Sequence, residues 1–89
     1  MKAIVTVAGV DKRGIIAAVS TELADMNINI LDINQTVMQE FFTMTCLVEL
    51  DASELHFEGI SERLGTLGEK IGLSVRIQRE DIFREMHRI

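Results

Sequence analysis

The sequence has no proline, no tryptophan, no tyrosine and a single cysteine. With only Cys46, no internal disulfide can form, so a disulfide-stapled scaffold is excluded. Four phenylalanines are the only aromatic residues, and aliphatic side chains and methionine must fill the core. Nine Lys and Arg stand against 14 Asp and Glu, and the basic residues are scattered. No basic stripe and no stacking aromatics are present, which argues against nucleic-acid binding. The net charge of −5 argues equally against acidic membrane surfaces. No stretch approaches the ~18 uninterrupted apolar residues of a membrane span. Met1-Lys2-Ala3-Ile4 runs straight into strand-like sequence without a signal-type apolar region. The expectation is a cytoplasmic protein.

What is present is apolar and patterned. Of 89 residues, 47% are hydrophobic and 26% charged, the balance of one ordered globular domain. A domain this small buries roughly 60% of its unfolded surface, so its stability is modest unless it associates. No linker and no low-complexity segment divides it.

Lys2 to Val10 is apolar on both parities, with Ala3, Val5 and Val7 on one and Ile4, Ala8 and Val10 on the other. Two apolar faces mark a central strand covered on both sides. Gly14 to Met26 reads as a helix whose stripe is Ile16, Val19, Leu23 and Met26, with Asn27 as a left-handed cap. Ile28 to Gln39 reads as an edge strand with a bulge where its alternation slips between Ile30 and Leu31. Phe41 to Leu50 reads as a strand with one wholly apolar face: Phe42, Met44, Cys46, Val48 and Leu50. Only Gln39-Glu40 separates the two strands, which implies a tight antiparallel hairpin. Ser53 to Ile71 reads as the second helix, on the stripe Phe57, Ile60, Leu64, Leu67 and Ile71. Asp51 or Ser53 is placed to cap its start and Gly72 to end it. Gly59, Gly65 and Gly68 lie inside this helix, and close approach to a neighbour is the reason expected for them. Leu73 to Glu80 reads as the last strand, and Asp81 then caps a short helix, Ile82 to Ile89, that carries Met86 and His87.

The order is βαββαβ plus a tail, which is the ferredoxin-like α+β arrangement. Right-handed crossovers place both helices on one face of a four-stranded antiparallel sheet. The first strand passes into the first helix through Gly9-Val10-Asp11-Lys12-Arg13-Gly14-Ile15. Such a turn aims free N–H groups and the positive end of a helix dipole at one spot, which suits a carboxylate. Asp11 as a helix cap and Gly14 as a packing glycine account for the same residues without a ligand.

These features together resemble the ACT domain. The resemblance rests on the βαββαβ order, on Asp11-Lys12-Arg13-Gly14 at the first turn and on Met26-Asn27-Ile28-Asn29-Ile30 at the opening of the second strand. The run from Ile28 to Met44 is similar to small bacterial and archaeal proteins made of one ACT domain, akin to the glycine-cleavage repressor type. The resemblance implies an ACT domain over residues 1–80, with 81–89 as a helical tail. It also implies side-by-side homodimers that bind an amino acid or other small metabolite between the first turn of one chain and the second strand of the other. By position, Asp11 and Gly14 match the turn residues and Asn29 matches the strand Asn. Two departures are Arg13, where many members have proline, and Gly9, where some amino-acid binders have a side-chain ligand.

The candidate ligand site is therefore Asp11, Arg13, Gly14, Ile15 and Asn29. N–H groups around Arg13 to Ile15 would take a carboxylate, and Asp11 or Asn29 an ammonium. Lys12 and Arg13 either draw in an anion or are simply solvated. Cys46 lies on an apolar parity, where a thiol is inert. His56 and His87 form no spaced metal motif, and no metal or cofactor is expected. No nucleophile with its base and no phosphate-cradling loop is legible, so no catalytic residue is assigned. The expected function is regulatory sensing of an amino acid or small carboxylate at a homodimer interface. The alternative is a ligand-free module that binds and regulates another protein.

Overall fold

The computed structural model describes residues 1–81; the expected helix at 82–89, with Met86 and His87, lies outside the described residues. The elements are β1 (Lys2–Val10), α1 (Ile15–Asp25), β2 (Asn29–Met38), β3 (Phe41–Glu49), α2 (Phe57–Ile71) and β4 (Ser74–Arg79). The four strands form one sheet in the order β2-β3-β1-β4, with every neighbouring pair antiparallel. The doubly apolar β1 is central and the polar β2 is an edge, as expected.

The register decides which side chains meet. Val5 pairs with Cys46 and Ile77, and Val7 with Met44 and Val75, so three strands present one buried face. Ile15, Val19 and Leu23 of α1 and Ile60 and Leu64 of α2 close over it. Cys46 is fully buried there, and burial pushes its thiol upward, away from reactivity. Ile16 was expected on the core stripe, but the helix turns Ile15 inward and leaves Ile16 41% exposed. Ile15 and Val19 are one turn apart, whereas Ile16 is rotated about 100° round the helix from Ile15. The opposite face of β1, with Ile4, Thr6 and Ala8, is half-buried.

Local chemistry explains the ends of the elements. Met26 closes α1, and Asn27 then takes the left-handed conformation (φ 62°) while its side-chain amide donates to the Ala52 carbonyl at 3.0 Å. The expected bulge lies between Ile30 and Asp32. Gly72 ends α2 in the left-handed region. The start of α2 differs from expectation: His56 is the cap residue and no side chain caps. The Ser53 hydroxyl instead accepts from the Leu55 N–H at 3.3 Å. Asp51 is held by the N-terminal ammonium, which also donates to Glu49 at 2.8 Å. That contact lowers the Asp51 carboxyl below its ordinary range and raises the ammonium. Of the three glycines inside α2, only Gly68 meets a neighbour. A Cβ there would lie 2.6 Å from the Leu73 carbonyl oxygen, whereas Gly59 and Gly65 face open space.

Candidate functional site

The β1–α1 turn is built by backbone, not by side-chain caps. The Asp11 N–H donates to the Glu40 carbonyl at 2.7 Å, which ties the turn to the β2–β3 hairpin. Gly14 is the cap residue of α1 at φ 84°, a conformation that favours glycine, and no side chain bonds the helix end. Asp11 therefore does not cap α1: it lies four residues before Ile15, the cap position is Gly14, and its side chain makes no cap bond. The first intrahelical bond runs from the Ala18 N–H to the Gly14 carbonyl at 2.9 Å. The N–H groups of Ile15, Ile16 and Ala17 precede it and point out of the helix end. No acidic residue sits in this first turn to offset the dipole.

A cavity of about 160 Å³ opens at this end, lined by Asp11, Lys12, Gly14, Ile15, Ile16, Ala17 and Phe42. Ile15 and Phe42 form its floor and are almost fully buried, each 4% exposed. Asp11 and Arg13 are exposed, and neither side chain has a hydrogen bond or ion pair among the described residues. Lys12 is not free: its ammonium donates to the Ile71 carbonyl at 2.7 Å, at the end of α2. Its charge serves the negative pole of that helix rather than an incoming anion. The departure at Gly9 is also structural. A Cβ there would overlap the Leu73 side chain, so this position faces the core edge and not the cavity.

Asn29 is placed elsewhere. It pairs with Glu49, which pairs with Lys2, whereas Val10 and Met38 meet Phe41 at the hairpin end. Nine residue steps of about 3.3 Å put Asn29 roughly 30 Å from that end. One protomer thus brings together Asp11, Gly14 and Ile15, with Arg13 in the same turn, and leaves Asn29 at the opposite end of the edge strand. Ile16, Ala17 and Phe42 were missed as lining residues. Phe42 reaches the cavity only because the sheet order sets β3 beside β1, which no local pattern reveals.

Among the described residues no strand lies beside the outer edge of β2. Ile33 and Val37 pair with Cys46 and Phe42, so they lie on the helix side of the sheet, yet they are 44% and 54% exposed. Leu31 and Met38 of the same strand are also exposed, at 44% and 69%. A larger cavity of about 510 Å³ lies on the helix layer, where Glu22 and Arg63 already pair with each other. Among the described residues no helix is long and apolar enough to cross a membrane.

A family model described as the ACT domain matches residues 2–78. The chain belongs to the ACT domain family. This ACT domain is 54% identical over 89 residues to a UPF0237 protein of Clostridium acetobutylicum, covering 100% of both chains. Its fold is similar to that of an ACT domain protein from Streptococcus pneumoniae, 41% identical with a TM-score of 0.83, covering 93% of each chain. It is also similar to the regulatory subunit of aspartate kinase from Thermus thermophilus in its ligand-free form. That likeness has 25% identity and a TM-score of 0.67, over 86% of this chain and 50% of the other. ACT domains are regulatory, ligand-binding domains.

Proposed function

We propose that this ACT domain senses an α-amino acid or a similar small carboxylate, and that it does so as a homodimer. One observation carries the proposal: the unpaired Asp11 carboxylate lines the same cavity as the open, uncompensated end of α1. An amino acid supplies both complements. Its carboxylate accepts from N–H groups around Gly14 and Ile15 with Arg13 alongside, and its ammonium meets Asp11. Each charge-assisted bond contributes about 1.5–3 kcal/mol net. Asn29 joins the site only through association. Antiparallel pairing of two β2 edges about a two-fold axis carries the partner's Asn29 to the hairpin end of the first chain, beside Asp11. The exposed apolar edge supports that pairing. We assign the protein no catalytic role and place it in the cytoplasm, acting in the regulation of metabolism.

Thermal melts of the full chain with each common amino acid test this. At a ligand concentration 100 times Kd, linkage raises stability by about 2.7 kcal/mol. For a domain of this size the melting temperature rises by on the order of 10 °C. Asp11→Asn abolishes the shift and Asn29→Ala weakens it. A wild-type protein unmoved by every amino acid at millimolar concentration overturns the proposal. The same apolar edge favours a second reading, a ligand-free module that docks on a regulated protein. A stable complex with another protein from native cells, with no amino-acid shift, is its signature.

A further inference from the structure

The face of the sheet turned away from α1 and α2 carries a row of side chains beside the end of β4. Register sets Gln78, Ile4, Leu47 and Asp32 next to one another, on β4, β1, β3 and β2. Ile4 and Leu47, at its centre, are large and apolar, yet among the described residues no element lies over them. Both are only half-buried, whereas Ala3 and Val5, on either side of Ile4 and facing the helices, are 0% exposed. The chain leaves β4 beside this row. Arg79, the last residue of the strand, pairs with Ala3, and Glu80 and Asp81 have already turned helical. The sequence then runs from Ile82 to Ile89. At 100° per residue, Ile82, Phe83, Met86 and Ile89 fall within about 120° of one another, and Arg84, Glu85, His87 and Arg88 take the remaining arc. We propose that residues 82–89 continue this helix and lay its apolar stripe across the sheet of their own chain, over Ile4 and Leu47. The lengths agree. Eight helical residues span about 12 Å. Two inter-strand steps of about 4.8 Å carry the segment from β4 over β1 to β3. The helix side of the sheet offers no place for it, because Ala3, Val5 and Val7 are 0% exposed beneath α1 and α2. The hairpin end of the open face is apolar too, with Val10 and Phe41 52% and 51% exposed, but it lies six residue steps, about 20 Å, beyond Ile4. The β2 edge proposed to pair with a second copy stays clear of the segment.

Paired cysteines in the full chain test this, since the native Cys46 is fully buried and does not interfere. Ile4→Cys with Met86→Cys is expected to close a disulfide on diamide oxidation, read by mass spectrometry as the loss of two hydrogens from a single chain. Val10→Cys with Met86→Cys, aimed at the far end of the same face, is expected to stay unlinked. A disulfide between two chains places the segment on a second copy and overturns docking within one chain. No disulfide in the Ile4 pair, or equal linking in the Val10 pair, overturns it as well. Thermal melts give a check without cysteines. Phe83→Asp and Met86→Asp are each expected to lower Tm by several degrees, whereas Arg84→Asp, on the opposite arc, changes it by no more than about a degree. Melting of Phe83→Asp and Met86→Asp at the wild-type temperature overturns the proposal.

Discussion

At the scale of single residues, three glycines of one helix part company on their surroundings. Each costs up to about 1 kcal/mol relative to alanine in a helix interior. Gly68 is required, because a Cβ would sit 2.6 Å from the Leu73 carbonyl oxygen and 3.2 Å from the Val75 Cγ2. Those atoms belong to the chain entering β4, which pairs with the central strand, so they cannot withdraw cheaply. Gly65 meets nothing within 4 Å. Gly65→Ala is therefore expected to stabilise the protein by about 0.5–1 kcal/mol, through lower entropy of the unfolded chain. Gly68→Ala is expected to lose about 1–2 kcal/mol net, since overpacking outweighs the propensity gain. Urea denaturation midpoints check both, and a Gly68→Ala protein as stable as wild type removes the steric account.

At the scale of elements, two turns interlock. The β1–α1 turn sends Lys12 to the end of α2, and Gly9, just before that turn in β1, makes room for Leu73 after α2. The turn that lines the cavity is thus braced from behind. Lys12→Met keeps the aliphatic stem and removes the charge-assisted bond to Ile71. It is expected to cost about 0.5–1.5 kcal/mol and to loosen the last turn of α2. Hydrogen exchange at Leu73, whose N–H donates to the Gly68 carbonyl at 2.9 Å, reports that loosening. Unchanged exchange there shows the brace to be idle. Such contacts also mark the boundary of what was legible beforehand. Alternation located β3 and its buried face, the phase slip at Ile30 located the bulge, and Gly72 located the end of α2. Lys12 and Ile71 are 59 residues apart and meet only once the sheet order is set. The start of α2 escaped because Asp51 and Ser53 have cap chemistry but find other partners, the N-terminus and the Leu55 N–H. The turn itself was legible as Asp11 to Ile15, while the Phe42 floor of the cavity was not.

At the scale of the whole molecule, the candidate site is divided between the two ends of one strand. Asp11 reaches the hairpin end of β2, and Asn29 opens the other. A monomer never joins them, but the proposed two-fold axis, lying between two paired β2 edges at mid-strand, would join them twice, once at each end. Ile33 and Val37 flank that midpoint on the helix side, exposed at 44% and 54%, and an added β2 edge would cover them. Because both are already exposed in the single chain, a charge at either position spares the fold and burdens only the association. Ile33→Lys and Val37→Lys together are expected to change the mass in light scattering from twice 10.0 kDa to 10.0 kDa. Amino-acid binding should fall with it, although neither residue lines the cavity of the single chain. Asn29→Ala should do the reverse, keeping the dimer mass while weakening the ligand. A wild-type mass of 10.0 kDa at micromolar concentration breaks the link between assembly and sensing. So does a monomeric double-lysine variant that binds as tightly as wild type.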